Sequence, residues 1–198
     1  MSPDTEHRPQ LFFIFGGPGA GKGTQASLLS QSLSVPHISS GELLREHQRR
    51  DTQNVMSSGE LLPDDLVTSV VFARFEQPDA AQGAILDGFP RTVAQARALD
   101  AWLQPRGGAI RAAFYLDVPP DELVARIVGR REISHRGDDN AAVAERRVAI
   151  FNREMPPILE HYAARGQLYR IDGAQPVEQI HEQIINALEG QPPAQPDR

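Results

Sequence analysis

The chain has 198 residues, 40% of them hydrophobic and 23% charged, which is typical of a single soluble globular domain. Its net charge of −6 argues against a general nucleic-acid-binding surface, and the absence of cysteine excludes disulfides and thiolate zinc sites. The polar N-terminal segment lacks the apolar core of a signal peptide, and no apolar run approaches the roughly 20 residues that cross a bilayer, so we expect a cytoplasmic protein with no membrane partner.

Short apolar runs alternate with helical patterns along the chain. The runs predict five strands of a parallel sheet, at 11–15, 35–39, 84–88, 112–117 and 168–172. Helical patterns cover 24–33, 64–75, 92–103, 121–130 and 141–164, and a last helix starts at Pro176. We expect Pro156 and Pro157 to kink or restart the long helix. The alternation indicates a doubly wound α/β fold, with a parallel five-stranded sheet flanked by helices in one domain over residues 10–190 and flexible termini at 1–9 and 190–198.

A glycine-rich loop separates the first strand from the first helix. Residues 16–22, GGPGAGK, fit the phosphate-binding pattern G-x-x-x-x-G-K in its required strand–loop–helix context. Glycines let backbone N–H groups turn toward phosphate oxygens, and the helix N-terminus adds a partial positive charge. Lys22 is the only lysine among the 20 Lys and Arg residues of the chain. The loop therefore predicts a nucleotide-phosphate site at which an ammonium group is needed and a guanidinium does not fit.

Charged residues gather near the same edge of the predicted sheet. Ligands of doubly wound sheets bind beyond the carboxyl ends of the strands, which places the loop, Asp87 and Asp117 together. We interpret Asp117 as a cap before the next helix. Six arginines cluster later in the chain, at 126, 130, 131, 136, 146 and 147. Despite the negative net charge, the sequence thus predicts a locally positive site for an anionic ligand.

Five motifs follow one another in a recognisable order: GGPGAGKGTQ (16–25), HISSGELLR (37–45), SGELLP (58–63), LDGFPRTVAQA (86–96) and RIVGRREISHRGDDN (126–140). Together they resemble the nucleoside monophosphate kinase family, and its short-lid adenylate kinases in particular, over about residues 11–188. Gly23 fits this resemblance, although general phosphate loops carry Ser or Thr there. The resemblance implies reversible Mg²⁺-dependent transfer of a phosphoryl group from ATP to AMP, giving two ADP. It also implies a monophosphate-binding arm at 39–62 and a short lid at 130–140.

The resemblance implies a role for each residue at a matching position. Catalytic roles fall on Lys22, Arg91, Arg130, Arg136 and Arg147. ATP contacts fall on Gly17, Gly19, Ala20, Gly21, Lys22, Gly23, Thr24 and Arg130. AMP contacts fall on Ser40, Arg45, Glu60, Leu61, Leu62, Gly88, Arg91, Gln95, Arg136 and Arg147. Asp87 is expected to hold Mg²⁺ through water, because Mg²⁺ sheds its hydration shell reluctantly.

The chemistry of these side chains agrees with the roles but leaves alternatives open. The guanidinium fork of Arg91 suits two phosphate oxygens, or a surface salt bridge. The amide of Gln95 can donate and accept together, as the edge of adenine requires, or face solvent on a helix. Asp87 can instead cap a turn. In the lid, the arginines compensate the charge of the transferred group.

The acceptor and the class of protein have alternatives too. Gln95 and Ser40 favour AMP, but the segment between Arg45 and Gly59 is shorter than usual for the family, which leaves UMP, CMP or a deoxynucleoside monophosphate open. A nucleotide-binding sensor without turnover is the alternative of a different class, and the full arginine set argues against it. We expect a monomer with ATP and AMP as substrates, Mg²⁺ as the only metal, no zinc and no nucleic-acid partner.

The unique lysine generates a first prediction. Lys22→Arg should lose most phosphoryl-transfer turnover, because a planar guanidinium does not fit a cradle shaped for a compact ammonium. Steady-state kinetics of the variant, with its fold checked by circular dichroism, measures the loss. Near-full activity in a folded Lys22→Arg variant would show that charge alone suffices at this position.

Overall fold

A computed structural model describes residues 9–46, 60–134 and 141–190, with the backbone alone described at 130–134 and 141. In these ranges the strands are β1 (Gln10–Gly16), β2 (His37–Ser39), β3 (Gly83–Asp87), β4 (Ala109–Asp117) and β5 (Leu168–Asp172). The α-helices are α1 (Lys22–Leu33), α2 (Ser40–Glu46), α3 (Asp64–Phe75), α4 (Val93–Leu103), α5 (Pro120–Ser134), α6 (Ala141–Ala163) and α7 (Val177–Leu188). None of the helices in this part of the chain is long and apolar enough to cross a membrane.

The strands form one parallel sheet in the order β2-β3-β1-β4-β5. The central strand β1 is buried from Leu11 to Gly16, as its continuous apolar sequence predicts. At the carboxyl ends, Asp87 of β3 pairs with Ile14 of β1 on one side and with Ser39 of β2 on the other. This register brings the ends of three strands together, and it confirms the predicted doubly wound α/β sheet flanked by helices.

Two hydrophobic cores cover the two faces of the sheet, because successive side chains of a strand point to opposite faces. From β1, Phe13 and Phe15 enter one core, which α3, α4 and the second half of α6 cover. Phe12 and Ile14 enter the other, which α1, α5 and α7 cover. Each core thus receives alternate residues of the same strand.

Helix α6 contributes to both cores. Ala144 and Val148, near its start, pack into the core of α1, α5 and α7, whereas Ile158 and Tyr162 pack into the opposite core. A helix of this length spans about 35 Å, enough to pass from one face of the sheet to the other. Arg147, next to Val148 near the start of α6, lines the cleft at the carboxyl ends of the strands.

Three local expectations need correction. Helix α6 is continuous through Pro156 and Pro157, so of the expected kink or restart the restart is absent; core packing around the prolines holds both halves in one helix. Strand β2 begins at His37 rather than at 35, because Pro36 offers only its carbonyl, which accepts a hydrogen bond from Ile85 N at 2.9 Å. The carboxylate of Asp117 faces Arg170 at 3.7 Å, as an exposed ion pair rather than a cap.

Parts of the predicted arm and lid lie outside the described residues. These are 47–59 of the arm and 135–140 of the lid, together with residues 1–8 and 191–198 of the termini. The predicted domain bounds therefore stay a prediction. What the structure does describe of the arm is its two ends, α2 and the segment from Glu60 to Pro63 that leads into α3.

Tyr162 generates a stability prediction. Its ring is fully buried between Phe13 and Phe15, and among the described residues its hydroxyl has no hydrogen-bond partner. An unpaired buried hydroxyl costs about 1–3 kcal/mol, so Tyr162→Phe should leave the free energy of unfolding unchanged or raise it by about 1 kcal/mol. Urea denaturation measures this, with Tyr169→Phe, at a half-buried tyrosine, as the control. A loss above about 1 kcal/mol in Tyr162→Phe alone would mean that the hydroxyl is hydrogen-bonded in solution.

Candidate active site

A cleft of about 400 Å³ opens at the carboxyl ends of the strands. The loop between β1 and α1 forms one wall, α2 and the turn after β3 form another, and α6 closes a third side. The predicted residues that line it are Gly19, Gly21, Lys22, Gly23, Thr24, Arg45, Glu60, Leu61, Asp87, Gly88, Arg91 and Arg147. The fold therefore brings most of the sequence-predicted residues to one place.

Sterics explain the glycines of the loop. Gly19 and Gly21 have φ of 87° and 86°, a left-handed conformation that disfavours any side chain. A Cβ at Gly19 would also lie 2.9 Å from the carbonyl oxygen of Leu123, and one at Gly17 would clash with the Leu123 side chain. Helix α5 thus packs directly on the loop backbone and stabilises its conformation. Ala20, also in the loop, is buried.

The first helix begins directly after the glycine loop. Gly21 is its N-cap and, having no side chain, offers the first N–H groups of α1 no side-chain cap of its own. Half-buried Lys22 folds over the loop, where its Nζ donates to the carbonyl of Gly17 at 2.9 Å. The backbone N–H groups at the start of α1, the helix dipole and an ammonium therefore converge, which is the arrangement that binds phosphate.

Asp87 is the anion on the floor of this cleft. A Cβ at Gly23 would lie only 3.6 Å from Asp87 Oδ2, so the start of α1 runs alongside the carboxylate, and His37 Nε2 lies 3.8 Å from the same oxygen. Burial raises the pKa of Asp87, but contact with His37 and the positive charges of Lys22 and Arg91 outweigh that effect and hold the pKa below its ordinary value of 3.8. The carboxyl is therefore ionised at neutral pH.

The turn after β3 is built around the Gly88 carbonyl. That oxygen accepts hydrogen bonds from Ser40 Oγ at 2.7 Å and from Arg91 Nε at 2.8 Å. Gly88 has a φ of 80°, and a Cβ there would lie 2.8 Å from Ser40 Oγ. Glycine is thus required by conformation and by space, and its backbone aims Arg91 into the cleft.

Positive charges crowd the wall opposite the loop. Desolvation lowers the pKa of Arg91, Asp87 raises it, and Arg147 and Arg45 lower it again. A guanidinium stays charged under these influences, so the lowered pKa reports unfavourable electrostatics rather than loss of a proton. Three arginines that repel one another around a cleft favour the binding of an anion between them.

A smaller pocket of about 40 Å³ adjoins the cleft and shares Gly88 and Arg91 with it. Buried Leu44, Leu62 and Val67 line its apolar part, and the buried polar side chains in its wall are Ser40 and Gln95. The pocket therefore combines apolar surface with one carboxamide.

The structure adds contacts to some predicted residues and leaves others unplaced. Gln95 is 2% exposed, which excludes the alternative of a solvent-facing side chain; its oxygen accepts from Arg91 N at 2.7 Å and its nitrogen donates to Asp64 Oδ1 at 2.7 Å. The carboxylate of Glu60 pairs with Arg146 at 3.2 Å. Arg130 and Arg136 cannot be placed, because the Arg130 side chain and all of Arg136 lie outside the described residues.

Sequence reasoning missed two residues of the site. Arg126, which received no role among the predicted site residues, lines the cleft, where it pairs with Glu122 at 2.5 Å and donates to the carbonyl of Gly173 at 3.1 Å. The spacing of four residues between Glu122 and Arg126 could have indicated the pair. No sequence pattern indicated Asp64, whose carboxylate accepts a hydrogen bond from Gln95, because 31 residues separate the two.

The oxygen atoms near the loop suit a hard cation. Asp87 supplies an ionised carboxylate and exposed Thr24 supplies a hydroxyl, both in the lining of the cleft. Mg²⁺ prefers such oxygen ligands and keeps several of its waters, so a single carboxylate fits it. Within the described ranges there is no group of three or more His, Cys, Asp or Glu residues that could hold a metal ion on its own.

Comparison with known proteins identifies similar chains. Residues 14–167 match the sequence model of the family described as adenylate kinase. Adenylate kinase of Stenotrophomonas maltophilia strain K279a is 39% identical over 181 residues, covering 88% of this chain and 97% of the relative. Adenylate kinase of Thermus thermophilus is 39% identical over 185 residues, 90% and 97% of the two chains. That of Moorella thermoacetica is 36% identical over 208 residues, 88% and 96% of the two chains.

The lowered pKa of Asp87 predicts how stability depends on pH. An ionised carboxylate favoured by the fold stabilises it above the unfolded pKa, and that contribution disappears as pH falls through the lower folded value. The gap in unfolding free energy between the native chain and Asp87→Asn should be constant near neutrality and shrink below about pH 4. Urea denaturation across this range measures the gap.

The matched control for this measurement is Asp117→Asn. Asp117 also ends a strand, but its side chain is 59% exposed and pairs with exposed Arg170, so its effect should be small at every pH. A gap for Asp87→Asn that keeps its size from about pH 6 to about pH 3 would contradict the electrostatic account of the cleft.

Proposed function

Since the chain belongs to the adenylate kinase family, we propose that it transfers the γ-phosphoryl group of ATP to AMP and back again, with two ADP as the products. The observation that carries this proposal is a single cleft with two phosphate-binding walls. Lys22 and the glycine loop form one wall, and Arg45, Arg91 and Arg147 line the other. A protein that only holds one nucleotide needs the first wall alone.

The donor nucleotide lies on the loop. Backbone N–H groups of the loop and of the α1 N-terminus bind the phosphate oxygens of ATP, and Lys22 exchanges the Gly17 carbonyl for a phosphate oxygen. The residues assigned to ATP are Gly17, Gly19, Ala20, Gly21, Lys22, Gly23 and Thr24, with Arg130 from the lid. Arg126 joins them, because it lines the same cleft.

The acceptor nucleotide lies between the arginines and the small pocket. Arg91, Arg45 and Arg147 bind its phosphate, and their mutual repulsion is relieved when the dianion enters. The base enters the pocket that Gln95 lines. The residues assigned to AMP are Ser40, Arg45, Glu60, Leu61, Leu62, Gly88, Arg91, Gln95, Arg136 and Arg147.

The reaction needs positioning rather than a covalent intermediate. An oxygen of the AMP phosphate attacks the γ-phosphorus, a new P–O bond forms, and the bond from that phosphorus to the β–γ bridging oxygen breaks, so that ADP leaves. Lys22 and the arginines compensate the charge that spreads over the transferred group. Arg130 and Arg136 complete the site when the lid closes and excludes water, which limits hydrolysis of ATP.

Magnesium belongs to the same proposal. Asp87 would hold Mg²⁺ through water, and Thr24, which lines the same cleft, would offer its hydroxyl. When bound with ATP, Mg²⁺ neutralises charge on the phosphate oxygens. The support from this chain is an ionised carboxylate on the floor of the cleft, next to the start of α1.

The composition of the chain bears on where the protein acts and on whether it binds nucleic acid. We propose that the protein acts in the cytoplasm on ATP and AMP, as a monomer and without a nucleic-acid partner. The net charge of −6 supports the last point, because a surface that binds nucleic acid is usually basic overall.

A panel of acceptors tests the function. Purified protein with ATP and Mg²⁺ is given AMP, CMP, UMP or dAMP, with a reaction lacking any monophosphate as the control. We expect AMP to give the highest kcat/KM, two ADP for each ATP consumed, and negligible ADP in the control. Preference for CMP or UMP would contradict the acceptor, and no ADP from any monophosphate would indicate a nucleotide-binding sensor instead.

A further inference from the structure

We propose that Asp64 determines which purine monophosphate the acceptor site accepts, by fixing the orientation of the Gln95 carboxamide. The inference rests on the proposed function, because it concerns the acceptor pocket of that reaction. A 6-aminopurine is accepted in the fixed orientation and a 6-oxopurine is rejected. Asp64 acts through Gln95 and touches no reacting atom, so it is a positioning residue.

Gln95 is held at both ends of its amide. Its Nε2 donates to Asp64 Oδ1 at 2.7 Å and its Oε1 accepts from the backbone N–H of Arg91 at 2.7 Å. The side chain is 2% exposed, so water does not compete for these bonds. Asp64 is itself fixed as the first residue of α3, directly after the N-cap Pro63, where the helix dipole favours its negative charge.

The opposite orientation of the amide is blocked by the same two partners. Turned by half a rotation, the amide would present its oxygen to the Asp64 carboxylate, which has no proton to donate, and its NH₂ group to the Arg91 N–H. Both contacts would be repulsive and both hydrogen bonds would be lost. Asp64 contributes the stronger restraint, because hydrogen bonds to charged groups are the stronger ones.

One donor and one acceptor of the amide remain for a ligand. An NH₂ group has two hydrogens and a carbonyl oxygen has two lone pairs, and Asp64 and Arg91 use one of each. Adenine offers an N6–H donor beside a ring-nitrogen acceptor, which matches this pair. A 6-oxopurine places an acceptor where adenine has the N6–H donor, so the fixed amide oxygen meets another oxygen.

The rest of the pocket offers little compensation. Its buried apolar walls are Leu44, Leu62 and Val67, whose side chains form no hydrogen bonds. The charged residues of its lining have other partners, since Glu60 pairs with Arg146 and Arg91 donates to the Gly88 carbonyl. Ser40 donates its hydroxyl proton to the Gly88 carbonyl. Discrimination at the purine edge therefore depends on Gln95, and the orientation of Gln95 depends on Asp64.

The neighbouring Asp65 supplies a matched control. It shares the first turn of α3 and its negative charge favours the same helix dipole, but it is exposed and makes no side-chain contact with Gln95. Replacing either residue by Asn removes one charge from the same helix turn. Only Asp64→Asn also removes the restraint on the amide, since an asparagine side chain can accept from or donate to Gln95.

The test compares AMP with IMP, which differ at the purine edge in the exchange of the 6-amino for a 6-oxo group. The ratio of their kcat/KM values is measured with ATP and Mg²⁺ for the native chain, Asp64→Asn and Asp65→Asn. We expect this ratio to fall about tenfold in Asp64→Asn, because one charged hydrogen bond no longer opposes amide reversal. It should be unchanged in Asp65→Asn. Some preference for AMP should persist in both, since the Arg91 N–H still favours one orientation.

The possible outcomes distinguish a failure of this inference from a failure of the proposed function. If the native chain makes no ADP from AMP, the proposed function fails and this inference fails with it. If the native chain prefers AMP and Asp64→Asn keeps the native ratio, the function stands and the role of Asp64 is wrong. Thermal unfolding of each variant reports its folding. If Asp64→Asn does not fold, Asp64→Ser, whose hydroxyl also donates or accepts, is measured in its place under the same two criteria.

Discussion

The register of three parallel strands is the constraint on which the site depends. Asp87 at the end of β3 pairs with Ile14 of β1 and with Ser39 of β2, so the glycine loop, Asp87 and the start of α2 leave the sheet at one level. A slip of one residue would turn Asp87 to the opposite face of the sheet. The alternating side chains of β1 resist such a slip, because Phe13 and Phe15 fill one core while Phe12 and Ile14 fill the other. The hydrophobic cores thus fix the positions of polar groups they do not touch.

Electrostatics then decides what this edge can bind. Lys22, Arg45, Arg91 and Arg147 line one cleft together with the ionised carboxylate of Asp87 and three glutamates, Glu42, Glu60 and Glu154. Burial and the nearby charges of Arg147 and Arg45 lower the pKa of Arg91, whereas Asp87 raises it. A phosphate bound beside this guanidinium would stabilise its charge, as the proposed function requires. The same charges compensate the transferred group, which explains why phosphoryl transfer needs no nucleophilic side chain.

Local sequence signals predicted much of the fold and the phosphate side of the site. Helix α3 begins and ends at the predicted residues 64 and 75, because Pro63 and two aspartates mark its start. The glycine loop lies between a predicted strand and a predicted helix, so the local sequence was enough to predict a phosphate-binding loop. Local sequence signals failed where packing between residues distant in sequence determines the structure. The core around Ile158 and Tyr162, for example, keeps α6 continuous through two prolines. The bond between Asp64 and Gln95 joins residues 31 apart, and no local pattern encodes it. Arg126 reaches the cleft because α5 packs on the glycine loop, which the sequence does not reveal.

In the proposed function, one cleft holds the donor and acceptor phosphates in a single continuous line. Titration calorimetry with two adenosines joined by five phosphates tests it most directly, because this compound spans both walls at once. We expect one molecule of the linked compound to bind per chain, with an affinity at least about a hundredfold above that of ATP or AMP alone. Once one adenosine end is bound, the other end binds at a high effective concentration. We also expect the compound to exclude both nucleotides. Binding no tighter than that of ATP, or continued binding of AMP to the saturated protein, would contradict a joint two-nucleotide site.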